Sequence, residues 1–67
     1  MLNQIKKARL ISGITQGELA SKLGVSTGAV SQWENGKTFP DVSRLKKLAF
    51  VLNTTVEKLL EDEERAM

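Results

Sequence analysis

The tetrapeptide Leu23-Gly24-Val25-Ser26 constrains this chain more than any other stretch of it. Glycine ends a helix by accepting the left-handed backbone that other residues resist, and serine starts the next by capping free amides. On both sides, within residues 16–35, apolar side chains recur at helical spacing: Leu19, Ala20 and Leu23 before the turn, Val30 and Trp33 after it. So short a connection forces the two helices into contact. Ala20 is the small residue that such a close crossing needs.

The rest of the sequence also reads as helix, with no period-two alternation and no long linker. Leu2, Ile5 and Ala8 at spacing three predict a first helix that ends at Gly13, with Leu10 on its outer side. Thr15 and Glu18 match a capping box, in which each side chain bonds the other's backbone amide, so a second helix starts there. Ser26 caps a third helix over about residues 27–35, with Val30, Trp33 and Glu34 inward. Residues 35–40, containing Gly36 and Pro40, form the one substantial loop. Asp41 caps a fourth helix whose stripe is Val42, Leu45, Leu48, Ala49 and Leu52. Thr55 caps a fifth, with Val56, Leu59 and Leu60 inward. The fold class is all-α, with residues 1–60 as one domain and residues 61–67 as an acidic tail that frays.

Two charges break the apolar pattern. Arg9 stands four residues after Ile5 and Glu34 four after Val30, each on the face that should be buried. A lone buried charge is costly, so the two are expected to form an ion pair between the first and third helices.

Composition narrows the function. A chain of 67 residues buries only roughly 60% of its unfolded surface, so its stability is thin. It has no cysteine for a disulfide and no histidine to join a zinc site, which leaves helix packing and dimerisation to hold it. Catalysis has little to work with: histidine, cysteine and tyrosine are absent, and the serines serve best as caps. The acidic run 61–64 lacks the alternating ligands and central glycine of a calcium loop. No apolar stretch approaches the roughly 18 residues of a membrane span, so a cytoplasmic protein without cofactor, metal or small-molecule ligand is expected.

The net charge of +2 conceals a division. Residues 1–56 hold eight basic against three acidic side chains, a net of +5, and residues 57–67 hold two against five, a net of −3. A basic body with an acidic tail suits a polyanion, although an ordinary solvated surface gives the same balance. Lys6-Lys7 and Lys46-Lys47 read as solvated helix faces.

The outward residues of the third helix are Thr27, Gly28, Ala29, Ser31, Gln32 and Asn35. None is charged and most can hydrogen-bond, which suits the discrimination of base edges, although a neutral face turned only to water would look the same. Gln32 can pair with adenine through both amide atoms, and the methyls of Ala29 or Thr27 can touch thymine. Phosphate contacts are expected around it, from Gln16 at a helix amino terminus and from Asn35, Gly36, Lys37, Thr38 and Arg44. Trp33 shares a face with Val30 and is expected in the core.

These residues, taken in order, resemble the phage Cro/repressor type (XRE-like) of helix-turn-helix domain. The resemblance rests on Thr15-Gln16-x-Glu18-Leu19-Ala20, Leu23-Gly24-Val25-Ser26, Val30-Ser31-x-Trp33-Glu34-x-Gly36 and Pro40. It continues through Leu45, Leu48-Ala49 and Leu52 to Leu59-Leu60. It implies a compact five-helix lambda-repressor-like fold with the helix-turn-helix formed by helices two and three. It also implies a two-fold dimer on half-sites about 34 Å apart, with major-groove contacts at Thr27, Gly28, Ser31 and Gln32, phosphate contacts at Gln16, Asn35 and Lys37, and the Arg9–Glu34 pair. The function implied is a transcriptional regulator, expected to be a repressor acting on operator DNA by occupancy alone, since residues after 60 leave no room for a sensing domain.

Three positions depart from that pattern. Gly28 stands where relatives often carry a long side chain, Gly17 is odd in a first helical turn, and Phe39 occupies a usually polar loop, where it belongs to the core margin or to a dimer contact, the latter slightly favoured. A second reading is an antitoxin-like protein-binding module that would use Leu10, Phe39, Phe50 and Val51.

Overall fold

Each of five segments begins with a short polar side chain that can reach forward to a free amide, and each forms a helix. In the computed structural model, residues 3–61 are described. They form α1 (Gln4–Ser12), α2 (Gln16–Leu23), α3 (Thr27–Glu34), α4 (Val42–Val51) and α5 (Val56–Leu59), with no strand among them. Asn3, Thr15, Ser26, Asp41 and Thr55 are the caps, each accepting from the amide three residues on. Thr15 and Glu18 complete the expected capping box at 2.8 and 3.0 Å. Asn3 does a second task, donating its amide to the Trp33 carbonyl at 2.6 Å and so tying the start of α1 to the end of α3.

The helix ends follow one rule as well. Beyond α1, α2, α3 and α4 the chain enters the left-handed region at Gly13, Gly24, Gly36 and Asn53. After each, the next amide returns to a carbonyl five residues back: Ile14 to Arg9, Val25 to Ala20, Lys37 to Gln32 and Thr54 to Ala49. At Gly24, with φ 72°, a Cβ would meet nothing within 4 Å, so only the backbone conformation demands glycine. Gly24→Ala is therefore expected to cost about 1–2 kcal/mol. Gly28, inside the first turn of α3, would gain a Cβ whose nearest neighbour is the Ser26 hydroxyl at 3.8 Å. Gly28→Ala should stabilise by up to about 1 kcal/mol. Thermal melts that shifted in the same direction for both would contradict this account of the two glycines.

The core is Ile5, Leu19, Ala20, Leu23, Val30, Trp33, Leu45, Leu48, Ala49, Leu52 and Leu59. Every one of them, Trp33 included, lies on an expected apolar stripe. The α2–α3 pair makes the most extensive contact; α4 packs on α2 and α5, and α1 closes over α3 and α5. Ala20, 2% exposed, permits the close α2–α3 crossing.

Three expectations about burial need correction. Val42 is 68% exposed, because it sits at the margin of the α4 stripe in a first turn held in water by Asp41 and Arg44. Burial on α4 begins one turn later, at Leu45. Val51, expected at the surface, is half-buried against the core. Val56 and Leu60 are half-buried rather than fully inward. Leu10 and Phe50 are exposed as expected, joined by Ile11 at 77%. Leu2 and residues 62–67 of the acidic tail lie outside the described residues.

Candidate nucleic-acid interface

The outer face of α3 is set by what its inner face must do. Val30, Trp33 and Glu34 are buried, which turns Thr27, Gly28 and Gln32 to solvent and leaves Ser31 half-buried. Ala29 is different from its expected role: it is half-buried and packs against the core, so its methyl is less available to a thymine than that of Thr27. Ser26 caps the helix through the Ala29 amide at 3.1 Å. Gln32 is exposed, and among the described residues its amide has no partner within the domain. The exposed first turn of α3 is nearly bare, since Gly28 carries no side chain.

The amino end of α2 lies beside that turn: a Cβ on Gly17 would stand 3.9 Å from the Thr27 hydroxyl. The capping box engages the amides of Thr15 and Glu18, leaving those of Gln16 and Gly17 for an outside acceptor. Gly17 places no side chain over them. A helix amino terminus with free amides and a positive dipole end favours an anion.

Behind this face lies the expected ion pair. Arg9 Nε donates to Glu34 Oε2 at 2.6 Å and Arg9 Nη2 to Glu34 Oε1 at 3.1 Å, with the two side chains 9% and 2% exposed. Arg9 Nη1 donates to the Ile14 carbonyl at 2.8 Å. The hydrogen bond to Glu34 pushes the guanidinium pKa up from its ordinary value, against the opposing effect of burial. The Arg9 contribution to the pair is thus in place at neutral pH and is lost only in strong alkali, as pH rises through the raised pKa. One further partner was not foreseen: Gln16 Nε2 donates to Glu34 Oε1 at 3.0 Å. Gln16, singled out for a phosphate, is therefore half-buried and already engaged on one side.

The other flanking residues are open. Asn35, the C-cap of α3, donates to the Ser31 hydroxyl at 3.4 Å, and Lys37 and Thr38 are exposed just beyond it. Arg44 caps back to Asp41 at 3.1 Å as an exposed pair, which holds it only weakly. Phe39 is 43% exposed and lines an open cleft over Ile5, Trp33 and Leu59, so more than half of it is spent on its own domain.

The face thus consists of two abutting short helices, the second bare at its front and the first with free amides at its start. Residues 5–59 match the family model described as helix-turn-helix. The chain belongs to the helix-turn-helix family. It is 36% identical over 61 residues to the HTH-type transcriptional activator BcrR of Enterococcus faecalis, covering 91% of this chain and 30% of that protein. It is 38% identical over 66 residues to an uncharacterized HTH-type transcriptional regulator of Archaeoglobus fulgidus, covering 96% of this chain and 94% of the relative. With the HTH-type transcriptional regulator ImmR of Bacillus subtilis the identity is 34% over 61 residues, 91% of this chain and 48% of ImmR. The helix-turn-helix chain thus spans under half of BcrR and ImmR and nearly all of the archaeal relative. No helix among the described residues is long and apolar enough to cross a membrane.

Proposed function

We propose that this helix-turn-helix protein, a DNA-binding transcriptional regulator by family, reads operator DNA as a two-fold dimer and acts as a repressor in the cytoplasm. The observation that carries the reading is the exposed neutral face of α3, flanked by anion-ready groups. Helix α3 lies in the major groove, with Gln32 reading a base edge and Thr27 and Ser31 adding short contacts. Ala29 contributes at most a methyl edge, and Gly28 lets the backbone approach closely. Gln16, Asn35, Lys37, Thr38 and Arg44 hold phosphates on either side. Reading by so few side chains leaves much of the specificity to DNA shape and half-site spacing. No cofactor and no chemical step is required.

Selection of duplexes from a random pool tests this directly. A two-fold symmetric sequence should be enriched, with half-sites one helical turn apart. Gln32→Ala should weaken binding to it by about 1–3 kcal/mol and relax selection at one position in each half-site. Failure to enrich any sequence, or a Gln32→Ala profile identical to the parent, would refute the assignment.

A second reading is favoured by one observation: Ile11 and Phe50 are large apolar side chains, 77% and 87% exposed, with no role in the DNA reading. They suit a protein partner, as in an antitoxin-like module with operator binding secondary.

A further inference from the structure

The geometry points to Glu34 as a positioning residue, held by Arg9, that sets the Gln16 amide for a DNA phosphate. The inference rests on the DNA-binding reading above and deepens it. A buried ion pair is weak evidence for stability, because well-packed apolar side chains of similar volume serve as well or better. What apolar residues could not do is hold a third polar group, and the Arg9–Glu34 pair does hold one.

The chain of contacts is short and leaves little freedom. The Ile14 carbonyl, on the linker between α1 and α2, takes Arg9 Nη1; Arg9 Nε and Nη2 take both oxygens of Glu34; and Glu34 Oε1 also takes Gln16 Nε2. The amide of Gln16 can face the carboxylate in only one way, since its carbonyl oxygen would be repelled there. Its second N–H is not used by Glu34 Oε1 and, on a half-buried residue, remains open to an outside acceptor. Gln16 is also the first residue of α2, so the free Gln16 and Gly17 backbone amides belong to the same positive helix end. A solvated glutamine loses rotamer freedom when it grips a phosphate, whereas one fixed beforehand has already lost it.

The test is a binding cycle on the duplex enriched by selection, with folding of each variant checked by urea melts. Gln16→Ala should lower affinity about tenfold for each protomer of the dimer, as for a hydrogen bond to a charged group. The dependence on salt should stay unchanged, because a neutral donor releases no counterion. In the Arg9→Met/Glu34→Leu background, whose net charge equals that of the parent, the same Gln16→Ala change should cost less than about twofold. Equal losses in both backgrounds would overturn the proposal. A measurement on the unmodified, DNA-free protein stands beside the cycle: NMR relaxation should show the Gln16 side-chain amide markedly more ordered than that of exposed Gln32. A Gln16 amide as mobile as that of exposed Gln32 would also overturn it. A parent protein that binds no duplex removes the underlying reading and the proposal with it. A parent that binds while Gln16→Ala equals it removes the proposal alone.

Discussion

Arg9→Met is expected to remove most of the stability of the fold. The substitution strands the Glu34 carboxylate, whose side chain is 2% exposed, with only the Gln16 amide to answer it. Breaking one side of such a pair costs about 3–5 kcal/mol, and a small domain commonly has little more than about 5 kcal/mol in total. Glu34→Leu should be nearly as damaging, since Arg9 would keep only the Ile14 carbonyl. The double variant Arg9→Met/Glu34→Leu replaces the pair by apolar side chains of similar size and should recover at least about 2 kcal/mol of the loss. Urea unfolding of the parent, the two single variants and the double variant gives the coupling directly. Losses that simply add would show that the two charges do not act as a unit. The double variant is also where stability and DNA grip should part: the fold regained, the hold on Gln16 gone.

Much of this architecture was legible in the sequence because capping is local chemistry. Thr15, Ser26, Asp41 and Thr55 announce helix starts through atoms within three residues, and all four act as expected. Gly13 and Gly24 announce helix ends for the same reason. Gly36 does the same work yet reads as a loop residue in a polar stretch ahead of Pro40, and Asn53, not being glycine, gives no such signal. The Arg9–Glu34 pair was legible because a charge on an apolar stripe contradicts its surroundings, and two such contradictions resolve each other. Val42 and Val51 were misread because periodicity gives the direction a residue faces but not how far along a helix its neighbour extends.

The candidate interface is legible as a face and less so as a set of atoms. Thr27, Gly28 and Gln32 are exposed as the wheel of α3 requires. The half-burial of Ala29 and the engagement of Gln16 with Glu34 depend on the angle at which α2 crosses α3, which spacing does not encode. Gln16 stands out in the sequence for its place at a helix start; its bond to Glu34 follows only from the tertiary packing that brings residues 16 and 34 together. One signal was available: Glu34 as a carboxylate has more acceptor capacity than a single guanidinium fills.

DNA binding by the parent should fall by roughly a hundredfold between about 50 and about 200 mM salt. The estimate counts Lys37 and Arg44 as the charged phosphate contacts, about four in a two-fold dimer, each contributing about −0.9 to the slope of log affinity against log salt. In the proposed interface Gln16, Asn35 and Thr38 would add hydrogen bonds but no counterion release, so their loss should change affinity without changing the slope. Lys37→Ala should lower the magnitude of the slope by about one per protomer. Arg44→Ala should act in the same direction and less fully, because Asp41, 3.1 Å away, already neutralises part of its charge. Titrations at several salt concentrations on parent and variants read all of these at once. Binding to a partner that persists across the same salt range, and that weakens instead on Phe50→Ser, would shift the assignment from the α3 face to the exposed apolar side chains of α1 and α4. The steep slope and its loss with Lys37 would tie the grip to phosphate, leaving Gln32 and its short neighbours to select among sequences already held by charge.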